Sequence, residues 1–300
     1  MDIWDHMSLE VNPVVKNICR TCHPFIKWAG GKSRLISQIK NFIPLEFNNY
    51  FEPFVGSGAL FFYMVRSSII KRYFCAHLSD INSEVINVYK AIKDNLTDLI
   101  RELQYNEIEY YKDPKRFYYK LRADDFGLND IKKAARFITL NKTCYNGLYR
   151  VNKNGVFNVP IGNYINPKIC DLENLTKVNK IMNLTNTILE NYDYHNISTK
   201  IKENDFIYFD PPYHPLNETS NFTNYTSHGF DYNQQKRLAN FFYELDKRKC
   251  KILLSNSDTT VIRDLYSSFT KNIISINTLR SINSNPERRK NHSELIIKNF

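Results

Sequence analysis

Residues 50–65 read YFEPFVGSGALFFYMV, a short aromatic run followed by a Gly-X-Gly turn and an apolar helical stretch. A strand that ends in a glycine turn and continues into a helix is the opening unit of a dinucleotide-type α/β fold. A second apolar run, 73–78, leads to Asp80, about 20 residues after Gly58, where such folds carry an acid for ribose hydroxyls. These features together predict a nucleotide-like ligand at the ends of the first two strands.

Strand character returns at residues 205–209, an unbroken apolar run typical of a buried parallel strand. Segments 84–101 and 130–140 between the two parts have helical periodicity, and 143–160 carries two Asn-Gly turn signals. The predicted fold is an α/β sheet of Rossmann type with an inserted, mainly helical region that ends in a β-hairpin or extended loop. The remaining predicted elements are a helix at 234–247 and strands at 251–255, 272–278 and 294–299.

The net charge of +10 and the pI near 9.1 favour a polyanionic partner, and nucleic acid is the default candidate. No apolar run reaches the length of a membrane span, and no signal peptide begins the chain, so we expect a cytoplasmic protein without a membrane partner. The stretch CRTCH at 19–23 lacks the further ligands of a zinc site, and we predict no metal.

The stretch GKS at 31–33 is similar to the end of a phosphate-binding loop, but Ile26 stands where that pattern needs its first glycine. A nucleotide triphosphatase is therefore disfavoured.

The tetrapeptide DPPY at 210–213 follows the buried strand, at the end where α/β sheets bind ligands. Its prolines remove two backbone donors and stiffen the turn, which leaves the Asp210 carboxylate and the Pro211 carbonyl as acceptors beside the Tyr213 ring. Two acceptors would hold both hydrogens of an exocyclic amine while the ring stacks on the base. The turn therefore predicts chemistry at a nucleobase amine.

DPPY at 210–213, FVGSG at 54–58 and WAGGK at 28–32 resemble motifs of DNA amino-methyltransferases. Their order resembles that of the Dam-like alpha group of N6-adenine methyltransferases, the D12 class. Four further stretches share this resemblance: YNGLYR at 145–150, GVFNVP at 155–160, NFT at 221–223 and SINSN at 281–285. The resemblance implies a Rossmann-like methyltransferase sheet, S-adenosyl-L-methionine as methyl donor, and transfer to N6 of adenine in double-stranded DNA, with GATC as the expected target.

The resemblance also implies site residues and boundaries. Catalytic positions would be Asp210, Pro211, Pro212 and Tyr213. Donor-binding positions would be Trp28, Ala29, Gly30, Gly31, Lys32, Glu52, Pro53, Phe54, Gly56, Asp80, Asp193, Tyr194 and Asp210. DNA-binding positions would be Lys27, Lys142, Tyr145, Asn146, Leu148, Arg150, Asn158 and Asn221, with the arginine reading guanine and Tyr145 wedging beside the target. The expected parts are an N-terminal extension at 1–23, a catalytic domain at 24–92 and 190–300, and a target-recognition domain at 93–189.

Alternatives stay open at this point. The target adenine could lie in another sequence, or the chain could be a non-catalytic DNA-binding relative. A cytosine-N4 enzyme would usually carry Ser, and an RNA or protein methyltransferase Asn, at the position of Asp210. No obligatory protein partner is expected, and a cognate restriction endonuclease in the same system is left open.

Overall fold

The computed structural model describes residues 20–28, 36–67, 69, 75–124, 127–215, 230–278 and 292–300. The predicted positions Ala29, Gly30, Gly31, Lys32 and Asn221 lie outside these described residues, as do residues 1–19 of the expected extension.

A seven-stranded sheet forms the centre of the part of the chain that the structure describes, in the order β3-β2-β1-β4-β5-β7-β6. Strands β1 to β5 pair in parallel, and β7 runs antiparallel to both of its neighbours. The strand order reverses between β1 and β4, and ligands bind open α/β sheets at such a reversal. The strands are β1 Tyr50–Glu52, β2 Ala76–Asp80, β3 Ile188–Asn191, β4 Phe206–Phe209, β5 Lys251–Ser257, β6 Ile273–Thr278 and β7 His292–Lys298.

Helices cover both faces of the sheet. They are α1 Ile36–Ile39, α2 Ala59–Arg66, α3 Ser83–Asp94, α4 Leu96–Lys112, α5 Pro114–Ala123, α6 Asp130–Thr143, α7 Leu172–Leu184, α8 Tyr232–Lys247 and α9 Thr260–Leu265. Short 3-10 helices lie at Lys40–Phe42, Tyr145–Gly147, Tyr194–Thr199 and Ser267–Asn272. Each of these helices is too short or too polar to cross a lipid bilayer, within the residues described.

Strand β4 shows how the sheet divides the core into two layers. Phe206 and Tyr208 pack in one cluster with the inserted helices α4, α6 and α7, while Ile207 and Phe209 pack in the other with α8 and α9. Alternate residues of a strand point to opposite faces, so an unbroken apolar run is required where both faces are covered. The prediction of a buried parallel strand at 205–209 is therefore confirmed, apart from Asp205, which precedes it.

The predicted helical character of residues 84–101 is confirmed, and the segment is divided into two helices at Asn95. Asn82 begins α3 by accepting a hydrogen bond from the Glu84 N–H, at 3.0 Å. Asn95 then leaves the helical conformation, with φ −135° and ψ 40°, before α4 begins at Leu96. The Asn side chain competes for backbone hydrogen bonds and favours helix ends over helix interiors.

Residues 144–161 form an extended antiparallel loop and not a regular hairpin ladder. Two isolated bridges hold it, Cys144 to Ile161 and Val151 to Phe157. The 3-10 turn at Tyr145–Gly147 interrupts the first arm, because Asn146 and Gly147 both have positive φ, 54° and 62°. Of the two forms that the sequence predicts, the extended loop is observed.

The end of the expected N-terminal extension is packed against the fold. The Cys22 side chain is buried, and His23 exchanges two backbone hydrogen bonds with the Asn174 side chain on α7, at 3.1 and 3.0 Å. The chain is therefore held to α7 at His23, while the side chains of Arg20, Thr21 and His23 are exposed.

Candidate active site and DNA-facing surface

The turn after β1 is built by glycines in a conformation that disfavours other residues. Gly56 and Gly58 have φ of +45° and +64°. The Gly56 N–H donates to Asp80 Oδ2 at the end of β2, at 3.0 Å. A Cβ added to Gly56 would lie 2.6 Å from Cδ1 of Trp28, so the indole ring rests directly on this turn. The turn, Asp80 and Trp28 thus form one unit at the ends of β1 and β2.

Two buried carboxyl groups line this end of the sheet. Burial and the charge of Asp210 together raise the pKa of Glu52 to about 8, against the opposing hydrogen bond from the Tyr50 hydroxyl at 2.9 Å. Burial also raises the pKa of Asp80 to about 6, although backbone N–H groups of Asn82 and Gly56 oppose the rise. Strands β1 and β4 pair in parallel, so Glu52 at the end of β1 and Asp210 directly after β4 lie at the same edge of the sheet. Acids held in such a site favour a ligand that carries positive charge.

Aromatic rings continue this end of the sheet beyond the glycine turn. Phe54 stacks on Tyr194 with ring centroids 5.3 Å apart. The neighbouring Asp193 is engaged by Arg237 through two hydrogen bonds of 2.8 and 3.1 Å, and it also accepts from the His195 N–H. The structure thus brings Tyr194 to the Phe54 side of the turn, while the Asp193 carboxylate is paired with Arg237. Pro53 is buried between Glu52 and Phe54.

The turn at Asp210–Tyr213 is held by side chains from three other elements. Ser255 on β5 donates to Asp210 Oδ1 at 3.0 Å, and its Oγ lies 2.9 Å from the Tyr208 hydroxyl. The Tyr213 hydroxyl donates to Glu294 Oε2 on β7, at 2.7 Å. Burial raises the pKa of Tyr213 well above its usual range, so this hydroxyl keeps its proton. The Asp210–Tyr213 turn therefore has a fixed position at the carboxyl end of β4.

A second set of bonds holds the backbone of the same turn. Gln235 on α8 donates to the Pro212 carbonyl at 2.9 Å and accepts from Asn256 at 3.0 Å. The His214 N–H donates to Asn256 Oδ1, at 3.1 Å. Sequence reasoning missed Gln235, Ser255, Asn256 and Glu294, and only the polar run SNSD at 255–258, directly after a buried strand, offered a signal for two of them.

The predicted DNA-binding residues divide into an exposed and a half-buried group. Tyr145, Asn146 and Arg150 are exposed, and Arg150 Nε donates to Asn158 Oδ1 at 2.8 Å. Lys142 and Leu148 are half-buried, and burial lowers the pKa of Lys142. The structure thus gathers Tyr145, Asn146, Leu148, Arg150 and Asn158 on one loop, while Lys142 lies at the end of α6 just before it.

Tyr149 is part of the interior and not of the exposed aromatic surface. It stacks on Trp28 with centroids 5.4 Å apart and planes inclined by 25°, and its hydroxyl donates to Glu84 Oε2 at 2.5 Å. Trp28 therefore contacts the glycine turn on one side and the loop at 144–161 on the other.

The strand order, the reversed β7, the glycine turn after β1 and the Asp-Pro-Pro-Tyr turn after β4 define a Rossmann-like methyltransferase fold. A family model, the D12 class of N6 adenine-specific DNA methyltransferases, matches residues 28–282. The chain belongs to this family, whose methyl donor is S-adenosylmethionine and whose substrate is DNA.

Three relatives show the extent of the similarity. The type II methyltransferase M.MjaIII of Methanocaldococcus jannaschii is 44% identical over 293 residues, covering 92% of this chain and 99% of the relative. The type II methyltransferase M1.LlaDCHI of Lactococcus lactis is 37% identical over 282 residues, 92% of this chain and 95% of the relative. The DNA adenine methylase of Escherichia coli is 34% identical over 276 residues, covering 91% and 93%.

The donor fits the residues at this end of the sheet. A sulfonium carries positive charge, and Glu52 and Asp80 are buried carboxyl groups that a cation would stabilise in their ionised form. The positive φ of Gly56 lets the backbone come close to a ligand without a side chain in between.

We expect donor binding to depend on pH through Glu52. Its raised pKa, about 8 in the donor-free protein, leaves it mostly neutral at pH 7, and a cationic donor gains from the carboxylate. Donor affinity should therefore rise between pH 7 and pH 9, by up to about tenfold, and level off above. Calorimetric titration of the wild type and Glu52→Gln checks this, because the difference between the two isolates Glu52 from any titration of the donor. Parallel pH profiles for both proteins would contradict it.

Proposed function

We propose that this adenine-specific DNA methyltransferase modifies N6 of adenine within GATC in duplex DNA, and that the reaction takes place at the turn Asp210–Tyr213. The observation that carries the proposal is the fixed turn at the carboxyl end of β4, next to the acidic pocket after β1 and β2. The DNA adenine methylases among the relatives support adenine as the base.

The chain's own residues would position the amine. The Asp210 carboxylate and the Pro211 carbonyl accept the two N–H bonds, which directs the nitrogen lone pair away from both acceptors. The Tyr213 ring stacks on the base, and its bond to Glu294 holds the ring in place. Ser255 orients the Asp210 carboxylate by donating to Oδ1. The donor supplies an electrophilic methyl group on a sulfonium, so the protein mainly orients and desolvates.

Donor binding is assigned to the turn after β1. Glu52, Gly56 and Asp80 would hold the charged and ribose-bearing parts, with Trp28 over the turn and Pro53 fixing its backbone. Phe54 and Tyr194 supply an aromatic surface for the adenine of the donor. Asp193 would act through its pair with Arg237, which lies over the Tyr194 ring at 5.0 Å.

DNA binding is assigned to the loop at 144–161 together with Lys27. Basic residues of the region at 93–189 would grip phosphates, which gives affinity without sequence information. The bond from Arg150 Nε to Asn158 orients the guanidinium, whose terminal nitrogens suit the bidentate pairing of Arg with guanine. Exposed Tyr145 would wedge into the stack while the target adenine leaves the duplex, at a cost of a few kcal/mol. Asn146, Leu148 and Lys142 complete this surface.

We expect Arg150→Ala to lose discrimination at one base pair and to keep general DNA binding. Loss of a bidentate contact to guanine costs about 1–3 kcal/mol of discrimination. The check is kcat/KM on the target duplex and on duplexes with each base pair replaced, with Lys153→Ala on the same loop as control. An equal loss on every sequence would assign Arg150 to phosphate contact only.

The target sequence is tested by incubating the protein with labelled donor and a pool of randomised duplexes, then mapping modified bases and their flanks. N6-methyladenine confined to GATC supports the proposal. N6-methyladenine in another sequence would refute the target and keep the reaction, and DNA binding without transfer would favour a non-catalytic relative.

A further inference from the structure

Asn141 is a buried polar residue that pairs with a distant backbone segment. It lies near the end of α6 and is 3% exposed. Its Oδ1 accepts from the Lys27 N–H at 2.8 Å, and its Nδ2 donates to the Lys27 carbonyl at 2.7 Å. The side-chain amide therefore pairs with both backbone groups of one residue, as a neighbouring strand would.

The same Nδ2 reaches the loop at 144–161. It donates to the Gly147 carbonyl at 3.3 Å, so one amide bonds Lys27 on one side and the turn at Tyr145–Gly147 on the other. A buried, fully hydrogen-bonded amide is rigid, so it restricts the positions of both the Lys27 backbone and the Gly147 carbonyl.

Gly147 makes a second, independent contact with Lys27. A Cβ added to Gly147 would lie 2.5 Å from Cδ and 2.6 Å from Cβ of Lys27, so the lysine stem lies directly on the glycine. The Lys27 ammonium is 3.9 Å from the centroid of the Tyr164 ring. Lys27 is thus held at its backbone, its stem and its charged end, all by residues of the region at 93–189.

These contacts join the two parts of the chain at a defined place. Trp28, next to Lys27, rests on the glycine turn at Gly56. Arg150 lies three positions after Gly147, on the same loop. The contacts of Asn141 and Gly147 therefore join Lys27 directly to the loop that carries Arg150.

We propose that Asn141 is a positioning residue for sequence recognition, which fixes the spacing between Lys27 and the loop at 145–150 so that both contact DNA in one register. The inference rests on the proposed function, in which Lys27 binds DNA and Arg150 contacts a guanine. Recognition depends on geometry because a shift of about 1 Å weakens several directed hydrogen bonds together.

The experiment compares two glycines of the same loop. Gly147 and Gly155 both have positive φ, 62° and 76°, but a Cβ at Gly155 meets no atom within 4 Å. The readout is the ratio of kcat/KM on the target site, as mapped for the wild type, to kcat/KM on sites with one base pair changed. Gly147→Ala should lower this ratio by about tenfold or more, as expected from a displaced base contact, and Gly155→Ala should leave it unchanged.

A second pair tests the amide itself. Asn106 is also buried in the inserted region and donates to Thr139 Oγ1 at 3.0 Å, away from Lys27. Asn141→Ala should lower the ratio while Asn106→Ala, compared at a similar loss of Tm, should not. If Asn141→Ala does not fold, the comparison of Gly147→Ala with Gly155→Ala alone tests the positioning role.

The outcomes separate the inference from the function on which it rests. A ratio that stays at the wild-type value in Gly147→Ala, with kcat/KM reduced equally on all sites, would overturn the positioning role and leave the function in place. A wild type that methylates adenine without sequence preference would overturn both the proposed target and the inference.

Discussion

Asp210→Ala is expected to reduce methyl transfer by about 10²–10³-fold while DNA binding survives. The carboxylate would accept a hydrogen bond from the reacting amine, and loss of a preorganised group at the reacting atoms costs about 10²–10³ in kcat. Asp210 also accepts from Ser255, so its loss removes the oriented acceptor. Single-turnover transfer on a duplex and equilibrium DNA binding, measured in the same variant, check the prediction.

The loss of methyl transfer in Ser255→Ala is to be compared with the loss in Asp210→Ala. Ser255→Ala keeps the Asp210 carboxylate and removes only the bond that orients it, so a smaller loss of kcat is expected, with KM for DNA unchanged. Transfer by Asp210→Ala at a rate close to that of the wild type would assign the amine to another group.

Gly56→Ala is expected to weaken donor binding by about 10- to 100-fold, which is about 1.4–2.8 kcal/mol. The added Cβ would lie 2.6 Å from the Trp28 ring, and that ring cannot easily yield because it stacks on Tyr149. Positive φ at a residue with a side chain adds strain of about 1–3 kcal/mol. The measurement is donor affinity by calorimetric titration.

Gly127→Ala is the matched control for this substitution. Gly127 has a φ of +73°, and a Cβ there meets nothing within 4 Å. It carries the strain of positive φ without the contact with Trp28. Equal donor affinity in Gly56→Ala and Gly127→Ala would contradict a donor site at the turn after β1.

The sequence predicts those parts of the fold that have a strong local pattern. The glycine turn after β1 requires positive φ, which glycine adopts easily. The apolar run before Asp210 requires a sheet that is covered on both faces. A short local pattern in the sequence is therefore enough to predict each feature. Strand β3 was missed because it has only four residues, ends in Glu190 and Asn191, and pairs along one edge with β2 only. Helix α7 was missed as well, since it lies among polar residues of the inserted region.

The turn at Asp210–Tyr213 is evident from the sequence, but the side chains that hold it are not. Ser255, Gln235 and Glu294 come from three elements that meet the turn only after the sheet is assembled. Their types are ordinary for the ends of strands and helices, so spacing along the chain carries no signal. The same reason applies to Asn141, whose partner Lys27 is 114 positions away. The burial of Tyr149 has the same origin, because Trp28, which stacks on it, lies far away along the chain.

If the Asp210 turn holds the amino group of an adenine as the methyl acceptor, removal of that amino group must abolish methyl transfer. Two duplexes are compared: one contains GATC, and in the other purine, which lacks the amino group, replaces the adenine of GATC on both strands. With labelled S-adenosylmethionine, we expect N6-methyladenine in the first duplex and no label in the second. Label on cytosine, or label in the purine duplex, would contradict it.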